Sequence, residues 1–279
     1  MFSSCAIGNF MDIEMNQYEE LVYDQNVSAS NYEIFKMRAD GSDNKRLTFT
    51  ADGFNDMSSS WSKDGDRIVC IRSTGVESHV WIMNSDGEGQ GQLTSGAVFD
   101  SSPTFSTDGN HISLTRSGSG VCVMNSDGSN FSVIMPGANL TAWTWIPDTW
   151  SVVYSNAAGD VYSINHDGTN NQLIFPAVDD IKNPVWSPDG SRIAFLRENG
   201  STYLDLWVMD SSGANQNKLT DVPSYPPDNC QTPSWSPDGQ TIVLTSEGNG
   251  IYLINPDGSN LRSIISGSFG SACFKGKPR

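Results

Sequence analysis

Pro184-Val185-Trp186-Ser187-Pro188-Asp189-Gly190 decides the fold, because near copies of its core recur along almost the whole chain. An aromatic followed by Ser-Pro-Asp-Gly or a close variant stands at Trp61-Ser62-Lys63-Asp64-Gly65, Phe105-Ser106-Thr107-Asp108-Gly109 and Trp235-Ser236-Pro237-Asp238-Gly239, with a decayed copy at Trp145-Ile146-Pro147-Asp148. Between these anchors lies a second mark, at Asp40-Gly41, Asp86-Gly87, Asp127-Gly128, Asp167-Gly168 and Asp257-Gly258, with Ser212-Gly213 in the equivalent place. The anchors are 44 residues apart from 61 to 105, then 40 to 145, 41 to 186 and 49 to 235. That falls on or near the repeat of about 40–45 residues expected for a four-stranded blade of a β-propeller.

Each repeat reads as four short strands, A to D from the inside outward. After the strand ending at Trp186 come Ile193-Ala194-Phe195-Leu196, Leu206-Trp207-Val208-Met209 and Lys218-Leu219-Thr220. Asp-Gly suits the hairpins between them: glycine takes positive φ freely and the preceding aspartate bonds to the turn backbone. A calcium-loop reading of Asn125-Ser126-Asp127-Gly128 fails, for want of a closing bidentate glutamate and alternating carboxylates. The anchor tryptophans are read as blade-to-blade packing.

The repeat enters out of phase. Leu21-Val22-Tyr23 has no anchor before it, whereas Ala272-Cys273-Phe274 arrives 39 residues after Trp235, where an anchor is due. The expectation is an all-β, closed six-bladed β-propeller at 21–279, its ring closed by pairing of the chain ends, with residues 1–20 as an N-terminal extension. Met11-Asp12-Ile13 competes for the closing slot.

Thirty-two acidic against 16 basic side chains give a formal charge of -16, which repels phosphate backbones and excludes nucleic acid as a natural partner. A basic protein surface, a cation or a neutral sugar is compatible. No apolar run is long enough for a membrane span, and a monomer is expected. The five cysteines form no CxxC pair. His79, His111 and His166 fall at different positions of different repeats, which argues against a histidine-built metal site. No cofactor is required. The N-terminus shows no charged region followed by an apolar stretch, so the chain is either cytoplasmic or a trimmed form from the periplasm or cell envelope. Phe2-Ser3-Ser4-Cys5 is similar to the end of a bacterial lipoprotein signal.

Proline two before tryptophan, Ser-Pro-Asp-Gly, an apolar strand, and then Asn255-Pro256-Asp257-Gly258-Ser259-Asn260 form a specific pattern. It resembles the WD40-like repeat of the TolB family of six-bladed propellers over about residues 20 to 275. The resemblance implies a periplasmic protein that binds the lipoprotein Pal and other envelope proteins through its propeller. The separate N-terminal α/β domain of TolB has no counterpart in this sequence. Similar repeats occur in oligogalacturonate lyases, with a metal-assisted site, and in prolyl oligopeptidase-type enzymes. The Gly-x-Ser-x-Gly elbow of a hydrolase is absent from the sequence.

In such a ring the B-to-C and D-to-A loops share one face, where function is expected. Asp56 and Asp100 lie five residues before their anchors, Asp180 six before Trp186 and Asp228 seven before Trp235. Asp56, Asp100 and Asp180 are the metal candidates, and calcium suits an all-oxygen set. Arg72, Arg116 and Arg197 share one position in strand B and read either as ligand-binding groups or as structural partners of loop aspartates. The fifth repeat carries the longest loops, with Tyr203, Tyr225 and Asp228 suited to a peptide or sugar. The leading expectation is a non-catalytic scaffold for an envelope protein, peptide or small ligand on this face. The alternative is an oligouronate lyase.

Overall fold

The computed structural model describes residues 19–28, 31–136, 140–156, 158–176, 181–198, 203–220, 230–246 and 249–276, with backbone alone at 140–143 and 230–232. The short apolar runs become strands because each is brief and bounded by residues that demand a turn. Twenty-four strands form six antiparallel four-stranded sheets, and no helix occurs among the described residues.

The first blade holds β1 (Glu20–Ser28), β2 (Asn31–Arg38) and β3 (Lys45–Arg46), and the second β4 (Asn55–Trp61), β5 (Arg67–Ser73), β6 (Ser78–Asn84) and β7 (Gly91–Gln92). The third holds β8 (Asp100–Phe105), β9 (His111–Arg116), β10 (Gly120–Asn125) and β11 (Ser132–Pro136). The fourth holds β12 (Leu140–Trp145), β13 (Ser151–Asn156), β14 (Val161–Asn165) and β15 (Gln172–Phe175). The fifth holds β16 (Lys182–Trp186), β17 (Arg192–Glu198), β18 (Leu204–Asp210) and β19 (Asn217–Lys218). The sixth holds β20 (Cys230–Trp235), β21 (Ile242–Ser246), β22 (Gly250–Ile254) and β23 (Arg262–Ile265). The last strand, β24 (Phe269–Phe274), lies beside β1, with Leu21 opposite Phe274 and Tyr23 opposite Ala272. The C-terminal strand is therefore the innermost strand of the first blade, which decides between the two candidates for the closing slot. The competing segment Met11–Ile13 lies outside the described residues.

Between blades the core is continuous. Val69, Ile71 and Val80 of the second blade pack on Phe105, Ile112 and Leu114 of the third. At the closing seam Leu21, Tyr23 and Met37 pack in the same way on Val243, Ile251 and Leu253. Burying one such side chain contributes about 1.5–3 kcal/mol, so the seam is held as the other interfaces are. Because the second strand of a blade is covered on both faces, its sequence tends to an apolar run, as in Ile68-Val69-Cys70-Ile71 and Ile193-Ala194-Phe195-Leu196, rather than an alternation.

Ser-x-Asp-Gly has a mechanical reading. Ser187 Oγ donates to Asp189 at 2.6 Å and accepts the Arg192 backbone N–H at 3.0 Å, and Ser62, Ser106 and Ser236 do the same. The bond from Ser187 draws the Asp189 carboxyl down to about 2. Gly190 closes the turn at φ 71°, a conformation open to glycine at little cost. Three residues before the anchors, Ser58, Ser102 and Asn183 take φ of 49–55° where the pairing register slips, a bulge shared by the innermost strands of the second, third and fifth blades. Buried Asp24 ties the bend at Ser58 of the second blade to the closing strand of the first, accepting from the Ser58 N–H at 3.2 Å and from the Ser271 N–H and hydroxyl at 3.0 and 2.6 Å.

Candidate functional site

All innermost strands run toward one face and each ends on its anchor, so Trp61, Phe105, Trp145, Trp186, Trp235 and Phe274 meet around the ring axis. They wall a cavity of about 440 Å³ at the channel mouth, on the face of the Asp-Gly turns. The indole N–H of Trp145 donates to Thr104 O at 3.3 Å and that of Trp235 to Val185 O at 3.0 Å, each tying its blade to the one before. Trp61 differs: its indole N–H is buried without a hydrogen-bond partner, and the Lys275 ammonium stands over its ring, 5.2 Å from the centroid.

The rim is chemically uneven. Lys63 and Lys275 border the cavity at the second and first blades, Thr107 at the third, and Asp148, Pro188 and Pro237 on the far side. Lys275 is paired with Glu20 at 2.6 Å, whereas Lys63 makes no ion pair among the described residues. A chain of charge -16 thus presents cations at one edge of this recess.

The opposite, long-loop face carries the residues singled out in the sequence. Arg72 holds fully buried Asp56 with two bonds of 2.7 Å and lies over Trp81, 4.2 Å from the ring centroid. Burial works against the Arg72 charge, but the Asp56 carboxylate outweighs it and keeps the guanidinium above its usual range. Arg116 holds Asp100 at 2.7 and 2.9 Å and lies over Phe131 at 4.2 Å. In the fifth blade Ile181 occupies the place of those aspartates, and Arg197 donates to Gln216 at 2.7 Å while lying over Trp207 at 4.5 Å. The structure therefore brings each aspartate to the arginine of its own blade, and among the described residues no three acidic, histidine or cysteine side chains gather around a common point. Tyr203 is exposed just before β18, and Asp180, Tyr225 and Asp228 lie outside the described residues. Phe49, Val76 and Phe99 also stand exposed on loops of this face.

The aromatic mouth itself was not picked out from the sequence, which assigned the anchors to packing alone. They do pack, and they also floor the recess. The available signal was topological: one anchor per blade, always at the same end of the innermost strand.

Comparison with known proteins agrees with this architecture. The TolB beta propeller domain family matches residues 20–188, more than half of the chain. A Tol-Pal system protein TolB from Anaeromyxobacter dehalogenans is 55% identical over 40 residues, which is 14% of this chain and only 9% of that protein's length. TolB from Acinetobacter baumannii superposes with a TM-score of 0.78 at 19% identity, over 94% of this chain and 68% of the other. An oligogalacturonate lyase in complex with manganese gives a TM-score of 0.59 at 14% identity, over 88% and 74% of the two chains. These structural likenesses are likenesses of fold. With six four-stranded blades, a repeated aromatic anchor and the match over residues 20–188, the chain belongs to the TolB beta propeller domain family.

Proposed function

We propose that this propeller is a non-catalytic binding scaffold whose channel mouth receives an extended segment of another cell-envelope protein. The observation that carries the reading is the recess of about 440 Å³ walled by one anchor from every blade. A preformed concave site with an apolar floor and a few polar groups at its rim suits a short peptide segment, and fixed aromatics supply contact area with little ordering cost. Lys63 and Lys275 favour an acidic residue of that segment at the first and second blades, where the Trp61 indole N–H lacks an acceptor. The periplasm or cell envelope is the compartment that goes with this reading, by extension from TolB.

A second reading places a protein partner on the long-loop face, where Phe49, Val76 and Phe99 expose apolar surface. The lyase alternative is weaker, because Arg72 and Arg116, which would have to neutralise a uronate, are already committed to Asp56 and Asp100. Affinity capture from an envelope extract separates the two binding readings. Thr107→Trp, which fills the mouth, should abolish capture, while Phe49→Asp with Val76→Asp should leave it intact. Loss in the second variant with retention in the first reverses the assignment.

A further inference from the structure

His111 begins β9 in the third blade, and His166 lies in the Asn165-His166-Asp167-Gly168 turn after β14 in the fourth. Fifty-five residues apart in sequence, their rings stand with centroids 5.3 Å apart. Trp150, on the turn before β13, leans over both, at 5.4 Å from His111 and 5.0 Å from His166. The backbone fixes these positions: the His111 N–H donates to Ser106 Oγ at 2.9 Å and the His166 N–H to Trp150 O at 2.8 Å. Neither histidine borders the channel-mouth cavity.

The neighbouring seam shows what these two positions ordinarily do. There the first residue of β5, Arg67, reaches Ser126 of the Asn125-Ser126-Asp127-Gly128 turn in the next blade, with an N···O distance of 3.4 Å. His111 and His166 take the places of Arg67 and Ser126 one blade further on, so a direct bond between side chains is replaced by two imidazoles. Nδ1 of His166 is buried with no hydrogen-bond partner. A buried imidazole nitrogen is costly unless a donor, an acceptor or an ion engages it.

We infer that His111 and His166 form a two-imidazole site for a borderline divalent metal ion, zinc being the type case. Imidazole nitrogen suits zinc, nickel and copper, whereas calcium and magnesium select oxygen. Nitrogen–zinc bonds of about 2.0–2.1 Å at a tetrahedral angle put two ring centroids about 5 Å apart, the separation found in this pair. No third histidine, cysteine or carboxylate completes the set among the described residues, so water or a partner's side chain takes the remaining positions. Such an ion clips the third blade to the fourth and stabilises the ring in proportion to its occupancy.

The test is calorimetric titration of the full chain with zinc chloride and, separately, calcium chloride. One zinc ion should bind per chain, with a dissociation constant in the micromolar range. His111→Ala and His166→Ala should each weaken it about tenfold or more, and His79→Ala should leave it unchanged. Calcium should give no saturable signal that the His111 and His166 variants remove. Trp150→Phe should keep zinc affinity while removing the part of the tryptophan fluorescence that nickel quenches. His111→Asn and His166→Asn replace the alanine variants wherever the melting temperature without metal falls. Absence of saturable zinc binding up to about 1 mM overturns the site, as does a His111, His166 double variant that binds zinc as tightly as the wild type.

Discussion

Arg116 grips both oxygens of Asp100, at 2.7 and 2.9 Å, while Thr94 of the preceding blade donates its hydroxyl to the same carboxylate at 2.6 Å. The Thr94 hydroxyl also accepts the Val80 N–H at 2.9 Å, so one chain of bonds runs from the third strand of one blade into the next. One half of this clasp recurs in other blades: the Thr48 and Thr220 hydroxyls accept the Ile34 and Leu206 N–H at 2.9 Å each, which gives the Leu-Thr at Leu47-Thr48, Leu93-Thr94 and Leu219-Thr220 a shared role. Replacing Asp100 by alanine strands the guanidinium and removes the clasp, so chemical denaturation should show a loss of about 3–5 kcal/mol. A loss under about 1 kcal/mol would reduce the pair to a surface ion pair.

The closing seam makes a sharper steric prediction. A Cβ added at Gly270 would sit 2.0 Å from Asp24 Oδ2, inside the bonds that fasten the innermost strands of the first two blades. Gly270→Ala should lower the melting temperature by many degrees, whereas Gly91→Ala, whose Cβ would meet only Ile82 at 3.9 Å, should change it little. Deleting residues 269–276 removes β24 and should abolish cooperative unfolding. A truncated protein that melts like the full chain contradicts closure by the two ends.

Acid stability follows from the turn aspartates. Hydrogen bonding from Ser187 lowers Asp189 from 3.8 to about 2, and Asp64, Asp127, Asp167 and Asp257 are lowered in the same way by Ser62, Ser129, Thr169 and Ser259. A carboxylate whose folded pKa lies below its unfolded one contributes stability above the unfolded value and loses it as pH falls through the folded value. The melting temperature should therefore drop between about pH 4 and pH 2. Asp189→Asn should shallow that slope. Asp24 runs the other way: burial raises its pKa, so protonation is easier in the folded chain and offsets part of the loss. An unchanged slope in Asp189→Asn removes the turn from the explanation.

The blades were legible in the sequence because a propeller repeats its punctuation. Trp186-Ser187-Pro188-Asp189-Gly190 carries its own turn chemistry, and the anchor due after Trp235 located Phe274 and with it the closing strand. The partnership of Asp56 with Arg72 was within reach too, since the two face each other in the register of β4 and β5. What repeats in sequence is a position within a blade, whereas sites form between blades. His111 and His166 occupy different repeat positions, so the sequence argued against their meeting, and only the seam between the third and fourth blades joins them. The mouth was obscured for a related reason: six residues chosen for packing also face an axis that no single repeat contains.

The central claim is that a partner enters at the aromatic mouth. The most direct measurement places a photo-crosslinking amino acid at Thr107, on the rim, and in a second protein at Val76, on the exposed loop of the opposite face. After irradiation in an envelope extract, the Thr107 protein should form a covalent adduct with an envelope protein, and the Val76 protein should not. An adduct from Val76 with none from Thr107 would contradict the account.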